Sequence, residues 1–308
     1  MAIFITNIIF GLNMPISRSL IPTELDPFAL NGLRILGAAA LFWCASFFVK
    51  GTKMKGRDLL LLLAASFFGV GLNQISFLEG LSTTSPVTAS LITTLSPIFT
   101  MILSALFLRE PITWMKTIGI IVGACGAAML ILQNYNPNAP NNLQGILLIL
   151  ISVLSYALYL TMFKKLISRY HPVQIMKWMF SFSVIYALPF YYKPLTEINF
   201  ATMQPDVLYR IGFVVLFATF IAYLLIPIGQ KTIRPTTLSM YNYLQPVVAS
   251  LVAVFVGMDK FGYKNILSAL LVFSGVYIVT QSKTRYQAEL EKRRKNILRI
   301  KKSRVDFQ

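Results

Sequence analysis

Charge is scarce in this chain, acidic charge above all: 11 of its 308 residues are Asp or Glu and 28 are Lys or Arg, so that charged residues make up only 13%. A soluble domain carries roughly a quarter, and a water-soluble protein with this deficit would have to hide an improbable amount of apolar surface. Cysteine and histidine are nearly missing as well. Cys44 and Cys125 lie in separate apolar runs with no CxxC spacing. That excludes a zinc site or a disulfide framework and reads as two small hydrophobic side chains buried among helices. The one histidine, His171, stands beside Pro172 with no neighbouring carboxylate, and the spans hold no His, Ser and acid cluster of the kind an intramembrane enzyme needs. No GxxxxGK[ST] loop occurs, which leaves no site for ATP hydrolysis. The expectation is a protein that is not an enzyme and carries no metal or cofactor.

What the chain does have is apolar length: 56% of it belongs to the hydrophobic set. A helix needs about 17 to 25 mostly apolar residues to cross the hydrocarbon of a bilayer. Ten stretches qualify: Ala2–Ser17, Phe28–Val49, Leu59–Leu78, Val87–Leu108, Thr113–Leu132, Leu143–Phe163, Met176–Tyr192, Val207–Ile228, Thr236–Met258 and Asn265–Ser282. The first has no Lys or Arg ahead of it until Arg18, so it reads as a retained helix and not as a cleaved signal. The predicted fold is an all-α integral membrane protein of ten transmembrane helices.

The net charge of +17 is segregated. Ten basic residues fall between Lys283 and Arg304, behind the last apolar run. Of the rest, twelve lie in the gaps after spans two, four, six and eight and five in the opposite gaps. This asymmetry follows the positive-inside rule. It predicts both termini in the cytoplasm of a multi-pass cell (inner) membrane protein, with the bilayer as partner and no nucleic acid.

An uncharged stretch, NYNPNAPNN over 134–142, divides the chain into residues 1–133, a linker 134–142, residues 143–282 and a basic tail 283–308. Placed at a constant offset of 149, residues 80–132 and 229–281 match where helices bend or cap. Gly80 falls on Gly229, Pro86 on Pro235, Thr88 on Thr237, Ser90 on Ser239, Pro97 on Pro246 and Gly126 on Gly275, with Glu110 opposite Asp259. Five spans is an odd number, so a second copy must enter the membrane upside down. Two inverted five-helix repeats are a hallmark of secondary transporters.

The segment from Leu81 to Gly126, with its LSTTSPVTASLITTLSP entry, Glu110, and Gly119, Gly123 and Gly126, resembles the EamA-type transporters of the drug/metabolite transporter superfamily. FGLNMPISR (Phe10–Arg18) and NGLRILGAA (Asn31–Ala39) resemble that family's first two spans. Phe10 stands where the family often has Trp, and Asp259-Lys260 where Glu-Pro is commoner. The resemblance implies ten helices, inverted repeats, a central cavity and export of amino acids or similar small solutes.

Polar side chains inside spans usually face a bundle interior or a water-filled cavity. Asn13, Asn73, Gln74, Thr93, Tyr156, Tyr159, Tyr223, Tyr241, Asn242 and Gln245 are therefore the candidate substrate-binding residues; interhelical hydrogen bonding is the other reading. Arg34 and Glu79 are candidates for coupling or charge pairing. Arg34 lies about 10 Å into span two, where it either meets a substrate carboxylate or, the favoured reading, snorkels to the interface. Glu79 reads as an interfacial carboxylate. Pro97 and Pro246 are candidate hinges or fixed kinks. Gly119 and Gly123 form a GxxxG that favours packing within the chain, a homodimer being the other reading. The tail is either an amphipathic helix on the anionic inner leaflet or a solvated tail. The function expected is a carrier for a small-molecule solute, an amino acid or related amphipathic compound. The alternatives are an exchanger of phosphorylated or nucleotide-linked sugars, which needs several inward-facing cations, and a non-transporting membrane scaffold.

Overall fold

A computed structural model describes residues 1–21, 23–133, 142–201, 203–255 and 263–283, with Gln287 and Leu290 besides. The linker centred on 134–141, the Glu110 counterpart Asp259 with Lys260, and the basic tail expected on the inner leaflet lie outside the described residues. Among the described residues the regular structure is helical.

The helices are α1 (Ala2–Leu20), α2 (Pro27–Ser46), α3 (Gly56–Thr83), α4 (Pro86–Thr93), α5 (Ser96–Leu108), α6 (Trp114–Gln133), α7 (Leu143–Met162), α8 (Pro172–Thr196), α9 (Pro205–Thr232), α10 (Pro235–Met240), α11 (Leu244–Phe255) and α12 (Tyr263–Gln281). Their starts are written locally. Pro27, Pro86, Pro172, Pro205 and Pro235 each open a helix, where a missing N–H costs nothing. Asp26 caps α2 by accepting from the Phe28 and Ala29 amides at 2.8 and 3.4 Å, and Ser85 caps α4 by accepting from the Thr88 amide at 3.1 Å.

Among the described residues seven helices are long and apolar enough to cross a membrane, and Trp114–Met129 and Ile266–Gln281 are shorter apolar helices. The outer surface carries Leu106, Ile118, Ile185 and Leu270 exposed, a belt that only lipid would tolerate. The chain is thus a multi-pass membrane protein. Two expected spans are broken rods. Val87–Leu108 divides into α4 and α5 at Thr94–Leu95, and Thr236–Met258 divides into α10, a single 3₁₀ turn at Tyr241–Tyr243, and α11.

Backbone irregularities recur at the same offset of 149 that aligns the sequence. A π-helical turn begins at Phe67 inside α3 and another at Leu216 inside α9. Thr84 and Ile233 both end their helices in extended conformation ahead of the paired prolines Pro86 and Pro235. A π-turn leaves a carbonyl out of register, and each finds a hydroxyl: Ser155 Oγ donates to the Phe68 carbonyl at 2.6 Å, and Thr219 Oγ1 to the Val214 carbonyl at 2.8 Å.

Packing is closest between α6 and α12. A Cβ built on Gly275 would lie 2.6 Å from the Gly119 carbonyl oxygen and from the Gly123 nitrogen, and one on Gly126 would lie 2.8 Å from the Ser268 carbonyl oxygen. The GxxxG face is therefore filled by the chain itself, by α12 and the Tyr243 ring, and is not free to dimerise. Cys44 and Cys125 are exposed on the outer surface, contrary to the expectation of burial; each sits on the outward side of its helix, where lipid accepts a thiol as readily as a core does.

Replacing Gly275 with Val is expected to destabilise the fold by about 1–3 kcal/mol through overpacking. Gly212→Ala, where nothing lies within 4 Å, should leave it unchanged. Thermal unfolding of both variants in detergent checks this.

Candidate functional site

The breaks in the helices face one another. Asn242, in the 3₁₀ turn, donates from Nδ2 to Ser96 Oγ at 3.3 Å, and Tyr243 donates from its hydroxyl to the Thr94 carbonyl at 2.9 Å. Gln245, one residue into α11, donates to Asn7 Oδ1 at 2.9 Å. Side chains thus supply partners for backbone that has left the helical ladder.

Beside these breaks is a cavity of about 120 Å³. Asn13 and Phe10 with Met14 line it from α1, Arg34 from α2, Asn73, Gln74 and Phe77 from α3, Ser152, Val153 and Tyr156 from α7, and Tyr223 from α9; Thr93, Ser96, Asn242 and Gln245 come from the broken helices. Three pairs of these positions stand 149 residues apart: Gln74 with Tyr223, Thr93 with Asn242, and Ser96 with Gln245.

Several lining groups are held by neighbours. Asn73 Nδ2 donates to the Ser152 carbonyl and hydroxyl, each at 3.0 Å, and Ser152 donates back to the Asn73 carbonyl at 2.8 Å. Ser17 donates to Asn13 Oδ1 at 3.2 Å. Two lining groups are not so held. Both amide atoms of Gln74 are buried without a hydrogen-bond partner. Arg34 is 4% exposed and uses Nε alone, donating to Thr219 Oγ1 in the π-turn of α9 at 2.9 Å. The favoured expectation that Arg34 snorkels to the interface is overturned, because its guanidinium turns inward to a hydroxyl on the facing helix. Its charge has no acidic partner among the described residues, whose ion pairs are Glu110–Lys116, Asp58–Arg169 and Asp206–Arg210.

Five expected residues lie elsewhere. Tyr159 is buried against Gly69, its ring behind Tyr156 at 6.2 Å between centroids. Tyr241 packs between two apolar clusters. Glu79 lines a separate apolar groove with Phe28, Phe67, Tyr186, Phe190 and Tyr191. Pro97 and Pro246 occupy the first turns of α5 and α11, behind the breaks, where a proline removes no helical hydrogen bond. Phe10, Met14, Phe77, Ser96, Ser152 and Val153 line the cavity without having been expected there. Ser96 and Ser152 carry a faint signal, as hydroxyls in apolar runs; the others carry none.

A second charged group joins the halves of the sequence. Arg109, at φ 54°, ends α5 in the left-handed region and turns Glu110 back, so that its carboxylate accepts from Lys116 Nζ at 2.9 Å, with side chains 11% and 1% exposed. Lys164 donates to the Ile233 carbonyl. Burial lowers the Lys164 pKa from its ordinary value, Glu110 opposing the shift and Arg234 adding to it. Arg234 caps the end of α12, donating to the Val279, Thr280 and Lys283 carbonyls at 3.1–3.2 Å.

The EamA-like transporter family model matches residues 1–132 and 143–281. The chain belongs to the EamA-like transporter family. Among its relatives is an uncharacterized transporter of Archaeoglobus fulgidus, 30% identical over 84% of this chain and 90% of that protein. The uncharacterized transporter YetK of Bacillus subtilis is 26% identical over 83% and 79%. A protein named S-adenosylmethionine uptake transporter, of Rickettsia felis, is 23% identical over 70% and 69%. A crystal structure superposes with a TM-score of 0.71 at 17% identity, covering 90% of this chain and 95% of the other, which attests the fold. Membership in this family makes the chain a membrane transporter handling small solutes.

Glu110→Gln is expected to strand the buried Lys116 ammonium and to destabilise by about 3 kcal/mol. Adding Lys116→Met should recover part of the loss, as a double-mutant cycle of thermal unfolding will register.

Proposed function

We propose that the chain is a secondary transporter that moves a small amphipathic solute on the scale of an amino acid by alternating access. The observation that carries the reading is the cavity: polar groups from both halves of the sequence converge on it, and it holds a buried cation with no counter-charge among the described residues. At about 10–15 Å³ for each water-sized probe, its volume of about 120 Å³ admits a solute of roughly ten non-hydrogen atoms. That is the scale of an amino acid.

In this reading residues 1–133 and 143–282 are five-helix repeats of opposite orientation, and ten spans place both termini in the cytoplasm of an inner membrane. The paired π-turns, the paired helix breaks and the paired lining positions, all at one offset, support it. The segments flanking Pro97 and Pro246 serve as the points of flexure, with the cluster of Glu110, Lys116, Lys164 and Arg234 closing one side. Export follows from the family resemblance, and a gradient of solute or protons supplies the energy. Exchange of phosphorylated sugars has less support: among the described residues Arg34 is the one cation lining the cavity, and Arg210 is engaged with Asp206.

Purified protein in liposomes should accelerate flux of at least one small amphipathic solute over protein-free vesicles. Asn242→Ala and Gln245→Ala should cut that flux about tenfold without lowering the melting temperature by more than a few degrees. Absence of flux across a panel of amino acids, their carboxylate relatives, sugars and organic cations would refute the carrier. Labelling of single cysteines placed in 80–132 and 229–281 tests orientation, with opposite sidedness required at matched positions.

A further inference from the structure

The cavity has a charge imbalance that narrows its solute. Among the described residues, Arg34 is the one side chain of fixed charge on its wall, and no Asp or Glu lines it. The two terminal nitrogens of the guanidinium make no hydrogen bond to the described residues, Nε alone being engaged with Thr219. A charge removed from water and left uncompensated is unfavourable, so the site is complete only when an anion enters. Gln74, 2% exposed, turns its amide into the same cavity, beside the Tyr223 hydroxyl. A guanidinium with two free nitrogens presents the fork that a carboxylate accepts in bidentate fashion, and the Gln74 amide nitrogen supplies a further donor. The Gln74 carbonyl is left to accept from a hydroxyl beside the carboxylate. Phe10, Met14, Phe77 and Val153 offer an apolar wall for a short side chain.

An amino acid fits this wall less well than its deaminated relatives. Its ammonium would enter with no acid to meet it, and would stand about 5 Å from Arg34 when the carboxylate is docked. At an effective dielectric of about 20, like charges at that distance disfavour binding by roughly two orders of magnitude. We infer that the solute is a small organic monoanion, a 2-hydroxy or 2-oxo monocarboxylate, whose carboxylate docks on Arg34 and Gln74, and that the cavity rejects the matching α-amino acid. This rests on the carrier reading above.

The test uses the full chain in proteoliposomes with matched sets of solutes bearing methyl, isobutyl or benzyl side chains. Each set holds the 2-hydroxy acid, the 2-oxo acid, the amino acid and the simple amine. Flux is read for each compound, and thermal shift in detergent reports binding without transport. The expected result is that the acids of at least one set move and bind roughly 100-fold better than their amino acid, with the amine inert. Arg34→Gln should abolish the response to acids, Arg34→Lys should retain part of it, and Gln74→Leu should weaken it about tenfold. Flux of amino acids or amines in preference to the acids overturns the inference and leaves the carrier standing, as does an undiminished acid response in Arg34→Gln that has kept its melting temperature. Transport of none of these sets while a sugar moves also overturns it; transport of nothing at all removes the carrier reading itself. The preference among wild-type solutes stands independently of whether any variant folds.

Discussion

Inside a bilayer no water is at hand for an unpaired backbone amide or carbonyl, so a helix is free to break only where protein groups take over its hydrogen bonds. That constraint organises this molecule. The chain departs from the α-helix at the π-turns of α3 and α9, at Thr94–Leu95 and at Tyr241–Tyr243. Ser155, Thr219 and Tyr243 satisfy the released carbonyls. The groups that repair the backbone are hydroxyls. The broken helices also bring Thr93, Ser96, Asn242 and Gln245 to the cavity.

Much of this was legible in the residues. Asn13, Asn73, Gln74, Thr93, Tyr156, Tyr223, Asn242 and Gln245 stand out because each is polar within an apolar run, and the structure brings all eight to one cavity. Helix starts were legible through Pro and a capping Asp or Ser. Other features left no mark. FFGVG and LFATFI give no hint of a π-turn, because the deviation is a matter of backbone register and not of side-chain chemistry. Tyr156 and Tyr159 share a helical face, and it takes Gly69 of another helix to draw Tyr159 into the core. For Arg34, a depth of about 10 Å suits both snorkelling and burial; the partner that decides, Thr219, is 185 residues away. Phe10, Met14 and Phe77 line the site as apolar wall, which composition does not separate from ordinary core.

The family relationship and the geometry bear on different questions. Membership fixes the broad activity, and the named relatives, most of them uncharacterized, say nothing common about a solute. The residues at the cavity speak to size and charge instead. A single guanidinium among amides is a different environment from one with paired acid and base, and it separates solutes by their net charge before shape enters.

The seam between α6 and α12 has a mechanical meaning. Where glycine backbones touch, a Gly275 Cβ position is only 2.6 Å from Gly119 and Gly123, with Val279 and Leu271 packed on Gly119 and Gly126. Sliding one rod past the other by a single residue would drive a full side chain into main chain, so the seam holds the two helices in one register.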